Sequence, residues 1–185
     1  MRWFWIDRFE KFIATQEAVA VKNVTLSDEP LDGYLPGLPH YPHTLIIEGM
    51  AQTGGILLSQ IDEFRSKVVL AKVGKAEFQR PAYPGDQLRL TATLVNRQPD
   101  GGIVEGRVEV NGEHQADLNL TFAILDDSFG KESFFLPADF CRVLRSLRLF
   151  DVGIYPDGSP IAIPDHMLEA EREAIQALER AVLPS

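Results

Sequence analysis

The sequence predicts an α+β domain in which one long apolar helix packs against an antiparallel sheet, with a helical extension behind it. Three observations carry this. Thr44 to Phe64 is a largely apolar stretch of helical length. Later segments around Gln87–Val95, Val104–Val110 and Ala116–Phe122 alternate apolar and polar residues with period two, as strands with one buried face do. Asn111-Gly112 stands between the last two, and that pair tolerates the positive φ needed at both central positions of a type I′ hairpin turn.

The elements follow in order. Residues 18–27 are rich in β-branched side chains and predict a strand. Asp28 to Pro42 is a loop spaced by Pro30, Gly33, Pro36, Gly37, Pro39 and Pro42, stiff without regular structure because proline fixes the backbone and removes donors. The helix then runs from about Thr44 to Phe64. Gly49, Gly54 and Gly55 lie inside it, each costing about 1 kcal/mol relative to alanine, so close approach of another backbone is the expected compensation. Val68–Val73 and Ala76–Arg80 predict two short strands. In the three alternating strands, Leu88, Leu90, Ala92 and Leu94 share one face, Val104, Gly106, Val108 and Val110 the next, and Ala116, Leu118, Leu120 and Phe122 the last. After Asp126-Asp127 the texture changes, which divides the chain into a main domain over residues 1–127 and a helical C-terminal extension over 128–185. Pro137 to Phe150 reads as one helix. Pro164 to Leu183 reads as an amphipathic second, with Leu168, Ile175 and Val182 seven apart and Asp165 as its N-cap. Three heptads are too few for a coiled coil, so docking on the main domain or on a sister subunit is expected.

Composition narrows the function. A chain of 185 residues suits one domain plus an extension. Its net charge of −9 argues against general nucleic-acid binding, which needs clustered Lys and Arg to neutralise phosphates. The one cysteine, Cys141, excludes an internal disulfide and reads as a small buried apolar residue. The aromatic N-terminus acquires charge by Asp7, unlike a signal peptide, so the chain is expected to be cytoplasmic. No membrane span is expected, because Glu48, Gln52, Gln60 and glycines interrupt the longest apolar stretch.

Glu48 is the most informative polar residue, a lone carboxylate in an apolar helix just after a Pro/Gly-rich loop. Burial would raise its pKa toward the range useful for proton transfer. The competing reading is a solvated stripe, since Thr44, Glu48, Gln52, Gly55 and Ser59 share one helical face while Ile46, Met50, Leu57 and Ile61 share the other. Gln52 follows Glu48 by one turn, so the two side chains are neighbours. His40 and His43 are the imidazoles nearest this helix start. His114 and His166 read as structural. The four histidines have no metal-ligand spacing with Cys or carboxylates, and no glycine-rich phosphate loop occurs, so neither metal nor cofactor is expected. Arg142, Arg145 and Arg148 form a row that reads first as a solvated face paired with glutamates of the last helix, and second as a surface for an acidic partner.

The segment with Pro36-Gly37, Pro39, Pro42, Leu45, Glu48 and Met50-Ala51-Gln52 resembles the signature of the β-hydroxyacyl-(acyl carrier protein) dehydratases. A second similar block runs from Phe78 through Arg80-Pro81 to Pro84-Gly85-Asp86-Gln87-Leu88, and Asp7-Arg8 with Lys22-Asn23-Val24 is similar near the start, so the resemblance covers about residues 3 to 125. Two positions depart from the family: Tyr34 stands where its catalytic His does, and His43 stands where a glycine opens its helix. The resemblance implies a hotdog fold, a sheet wrapped round the central helix. It implies a 3-hydroxyacyl thioester carried by acyl carrier protein and a homodimer, with trimers of such dimers as a further assembly. Glu48, Tyr34, Gln52 and His43 are then the catalytic candidates, and Gly37, Pro42, His40 and Arg80 the substrate-binding ones. Backbone N–H groups at the helix start would receive the thioester carbonyl. Two alternatives stay open, a hotdog acyl thioesterase and a non-catalytic acyl-binding or partner subunit.

Overall fold

The computed structural model describes residues 4–28, 37, 39–125 and 136–182. The central apolar segment forms helix α1, His43–Ser59, followed by one 3-10 turn over Gln60–Asp62. It begins where Pro42 ends the loop, and the Pro42 carbonyl accepts from the N–H groups of Leu45 and Ile46. It stops before the expected Phe64 because Glu63 and Phe64 adopt positive φ (60° and 63°), and the Phe64 N–H turns back to the Ser59 carbonyl at 2.8 Å. That reversal buries the Phe64 ring.

The strands are β1 Arg8–Ile13, β2 Glu17–Asn23, β3 Lys67–Phe78, β4 Gln87–Gln98, β5 Gly101–Val110, β6 Glu113–Leu125 and β7 Gly153–Ile154. They form one seven-stranded sheet in the order β3-β6-β5-β4-β2-β1-β7, antiparallel except for the β1–β7 pair. β4, β5 and β6 bury the faces expected of them, with Leu94 only partly covered. Asn111 and Gly112 make the hairpin with φ of 52° and 84°.

Other elements also differ from expectation, each for a local reason. β1 escapes a period-two reading because its register shifts between Phe9 and Lys11, so Phe9 and Phe12, three apart, both face the core. The two short strands predicted around Gly74 are one strand, β3, whose register instead slips at Leu70/Lys72 and Val73/Lys75. The single helix predicted over 137–150 is two, α2 Pro137–Ser146 and α3 Leu149–Val152, because Arg148 turns the chain at φ 60°. The last helix, α4, spans Asp165–Val182. Asp165 is its first residue rather than its cap, since the Pro164 carbonyl takes the opening bonds from Met167 and Leu168.

α1 lies on the sheet with Ile46, Met50 and Leu57 buried against the apolar faces of the strands. Each such fully buried side chain contributes roughly 1.5–3 kcal/mol. Close approach decides two of the three helix glycines: a Cβ at Gly49 would stand 3.1 Å from the Trp5 carbonyl and one at Gly54 3.1 Å from the Val104 side chain, whereas one at Gly55 would make an ordinary 3.5 Å contact with Phe122. The extension continues the same core, contributing Cys141, Leu144, Leu149 and Met167, while β7 adds a strand beside β1. Burial pushes the Cys141 thiol up, as suits an apolar packing residue. Arg145 meets both carboxylate oxygens of Glu171 at 2.7 Å, so this arginine joins α2 to α4. Among the described residues, no helix is long and apolar enough to cross a membrane.

Candidate active site

The polar face of α1 does not open onto bulk water along its length. Thr44 is exposed, Glu48, Gln52 and Gly55 are half-buried, and Ser59 is buried. The last four line a cavity of about 530 Å³ that β3 flanks with Val68, Val69 and Leu70. Phe64, Phe122 and Phe140 add apolar wall, and His166 lines it from α4. Its volume falls in the usual small-molecule range of about 300–1,000 Å³.

Glu48 is held by its neighbour. The Gln52 amide oxygen accepts from the Trp5 N–H at 2.8 Å, which turns the amide NH2 toward Glu48. That NH2 donates to the Glu48 Oε1 at 3.1 Å. A bond to the N-terminal segment therefore fixes which end of the amide the carboxylate meets. One helical face, read from sequence as either solvated or catalytic, is a cavity wall bearing an oriented carboxylate.

The other described sequence-derived candidates, His43, His40, Pro42, Gly37 and Arg80, do not line this cavity. His43 opens α1, with its ring stacked on Phe78 at 4.0 Å and 2°. Burial, and then the nearby His40, hold its imidazole below the ordinary histidine value. Its Nε2 is buried without a hydrogen-bond partner among the described residues. His40 stands 6.4 Å from it, ring to ring. Pro42 is buried at the helix start, and Gly37 turns the preceding loop with φ 83°. At the helix start the N–H groups of His43 and Thr44 have no acceptor within the helix. Arg80 is committed to structure: it donates to the Val110 carbonyl at 2.8 Å, pairs with Glu113, and its carbonyl accepts from the buried Gln115. Tyr34 lies outside the described residues.

Sequence reasoning missed Tyr41. It is fully buried, and its N–H donates to the Ala82 carbonyl at 2.7 Å, tying the loop before α1 to the Pro81–Asp86 turn. Burial, with Asp28 and Asp7 nearby, drives its hydroxyl pKa upward, so it is a neutral anchor. The available signal was its place between Pro39 and Pro42, where a rigid loop needs an anchor. Phe140 and His166 had no local signal, because only folding brings the extension to the cavity.

A family model described as the FabA-like domain matches residues 4–118. A 3-hydroxyacyl-(acyl-carrier-protein) dehydratase FabZ of Symbiobacterium thermophilum is 39% identical over 122 residues, 65% of this chain and 86% of that protein. The protein of the same description from Clostridium acetobutylicum is 36% identical, again covering 65% and 86%. Among solved structures, the dehydratase heterocomplex ApeI:P of Xenorhabdus doucetiae aligns with a TM-score of 0.57 at 18% identity, covering 67% of this chain and 84% of that one. At that identity it shows the fold, a hotdog fold. With the family match spanning most of the chain and the relatives covered over most of their own length, the chain belongs to the FabA-like domain family.

Proposed function

We propose that this protein dehydrates 3-hydroxyacyl thioesters borne by acyl carrier protein, in the cytoplasm, as a step of fatty-acid or related lipid biosynthesis. The observation that carries the reading is Glu48, oriented by Gln52 on the wall of a largely apolar cavity in a FabA-like chain. In the reaction the C2–H and C3–O bonds break, the C2=C3 bond forms, and water leaves. Glu48 is the general acid toward the departing C3 hydroxyl. The free N–H groups of His43 and Thr44 receive the thioester carbonyl as charge develops on it. Gln52 acts through Glu48 as a positioning residue.

The base is the altered part. Tyr34 occupies the family's His position, and a phenol of pKa about 10 is roughly a thousandth ionised at pH 7, which costs about 4 kcal/mol against a group titrating near neutrality. Tyr34 therefore serves as a hydrogen-bond donor to the substrate, and His40 is the group assigned to take the C2 proton. Gly37 and Pro42 shape the entrance. Because the described cavity contains Glu48 but neither histidine of the loop, the reading needs a second copy to bring that loop across. β3 supports this, as a 12-residue edge strand that among the described residues pairs only with β6, a ready template for a sister strand. Trimers of these dimers would be the further assembly. Sedimentation giving a monomer at micromolar concentration would remove the shared site.

The test is turnover of 3-hydroxyacyl carrier-protein thioesters, following enoyl formation and free thiol together. Enoyl product without thiol release, lowered at least about 10²-fold in Glu48→Gln, is expected. Thiol release would make the protein a thioesterase. Binding without either product would make it a non-catalytic acyl-binding or partner subunit.

A further inference from the structure

We propose that the C-terminal extension forms the end wall of the acyl cavity and that Phe140 sets the longest chain the site accepts. The inference rests on the acyl-thioester reading above, and adds to it a determinant from outside the matched residues 4–118. The cavity follows α1 from Glu48 to Ser59, eleven residues, or about 16 Å at 1.5 Å per residue. The chemistry belongs to the Glu48 end. The other end is aromatic: the Phe64 N–H is bonded to the Ser59 carbonyl, and the Phe64 ring meets Phe140 edge-on at 6.0 Å. Phe150, which does not line the cavity, meets the same Phe64 ring at 6.3 Å and braces it.

Pro137 and His166 stand beside Phe140 in the lining. Burial holds the His166 imidazole below its ordinary value, so it is neutral near pH 7 and suits an alkyl chain. α2 and α4 are fixed in place by buried Cys141, Leu144 and Met167 and by the Arg145–Glu171 pair. The wall is thus rigid, and an acyl chain lying along α1 from Glu48 runs toward the Phe64–Phe140 pair. Each methylene that fits adds about fourfold in affinity, and the first that does not fit adds nothing or reverses the gain.

The experiment uses the full chain and a graded series of saturated acyl-pantetheine thioesters, butyryl to palmitoyl, with dissociation constants from calorimetry. Wild type is expected to gain affinity with length and then break off. Phe140→Ala should move the break to longer chains, giving at least about a fourfold gain for the first chain that wild type rejects. Phe140→Trp should move it to shorter ones, and Phe140→Leu keeps the test open if the alanine variant unfolds. A break at the same length in every folded variant, or no acyl binding by wild type, overturns the inference. Because binding is read without turnover, a shifted break in a protein that forms no enoyl product refutes the dehydratase reading alone.

Discussion

Replacing Gln52 by Glu tests the contact on which the site depends. The amide nitrogen lies 3.1 Å from the Glu48 carboxylate, so the variant puts a second carboxylate in its place, while its other oxygen still accepts from Trp5. Two charges about 4 Å apart repel by roughly 4 kcal/mol at an effective dielectric of about 20. Both residues are half-buried and some of this is screened, leaving a loss of about 1.5 kcal/mol at about pH 8. Unfolding separates the pair, so their mutual repulsion raises the variant pair's folded pKa above the unfolded value of about 4.3. A raised folded pKa means that the loss is absent below about pH 4.3 and grows as pH rises through the folded value. At about pH 5.5, above the sequence pI near 4.9 and so still soluble, the loss should shrink to about 1 kcal/mol. Urea unfolding at fixed protein concentration, followed by tryptophan fluorescence, reads both. Gln52→Leu is the control: it loses both hydrogen bonds and should be destabilised by about 1–3 kcal/mol with little added pH dependence. Equal midpoints for wild type and Gln52→Glu at both pH values would refute the contact and with it the orientation of Glu48.

Four further outcomes are expected. His43, held below its usual pKa by burial and then by His40, binds its proton more readily unfolded, so wild type loses stability as pH falls below about 6.5; His43→Gln should flatten that slope in thermal melts, and an unchanged slope counts against its burial. Gly55→Ala places its Cβ 3.5 Å from Phe122, an ordinary contact, and should stabilise α1 by about 0.5–1 kcal/mol, while weakening acyl binding because Gly55 lines the cavity. Gly54→Ala puts its Cβ 3.1 Å from Val104 and should cost about 1 kcal/mol net; urea midpoints that move together would contradict the packing. Tyr34→His combined with His43→Gly should raise dehydration of hydroxyacyl thioesters by about 10²-fold or more. No gain, with wild type active, would leave His40 as the base.

Local pattern alone determined the α+β architecture. The alternation of Leu88, Leu90 and Ala92, the Asn111-Gly112 turn and the apolar run of α1 each depend on neighbours within a few residues, and local periodicity records such constraints. The adjacency of Glu48 and Gln52 was legible for the same reason, being one helical turn. Tertiary structure decided the rest. A bulge in β1 sets Phe9 and Phe12 on one face and hides the strand from any regular period. Positive φ at Glu63 and Arg148 ends helices whose side-chain pattern would have continued them, because the chain must turn to bury Phe64 and Leu149. The orientation of Gln52 comes from Trp5, 47 residues away in sequence, and the aromatic end of the cavity from Phe140, farther still. Contacts of that separation leave no period in the chain; they exist only once buried apolar surface has drawn the N-terminal segment, α1 and the extension into one core.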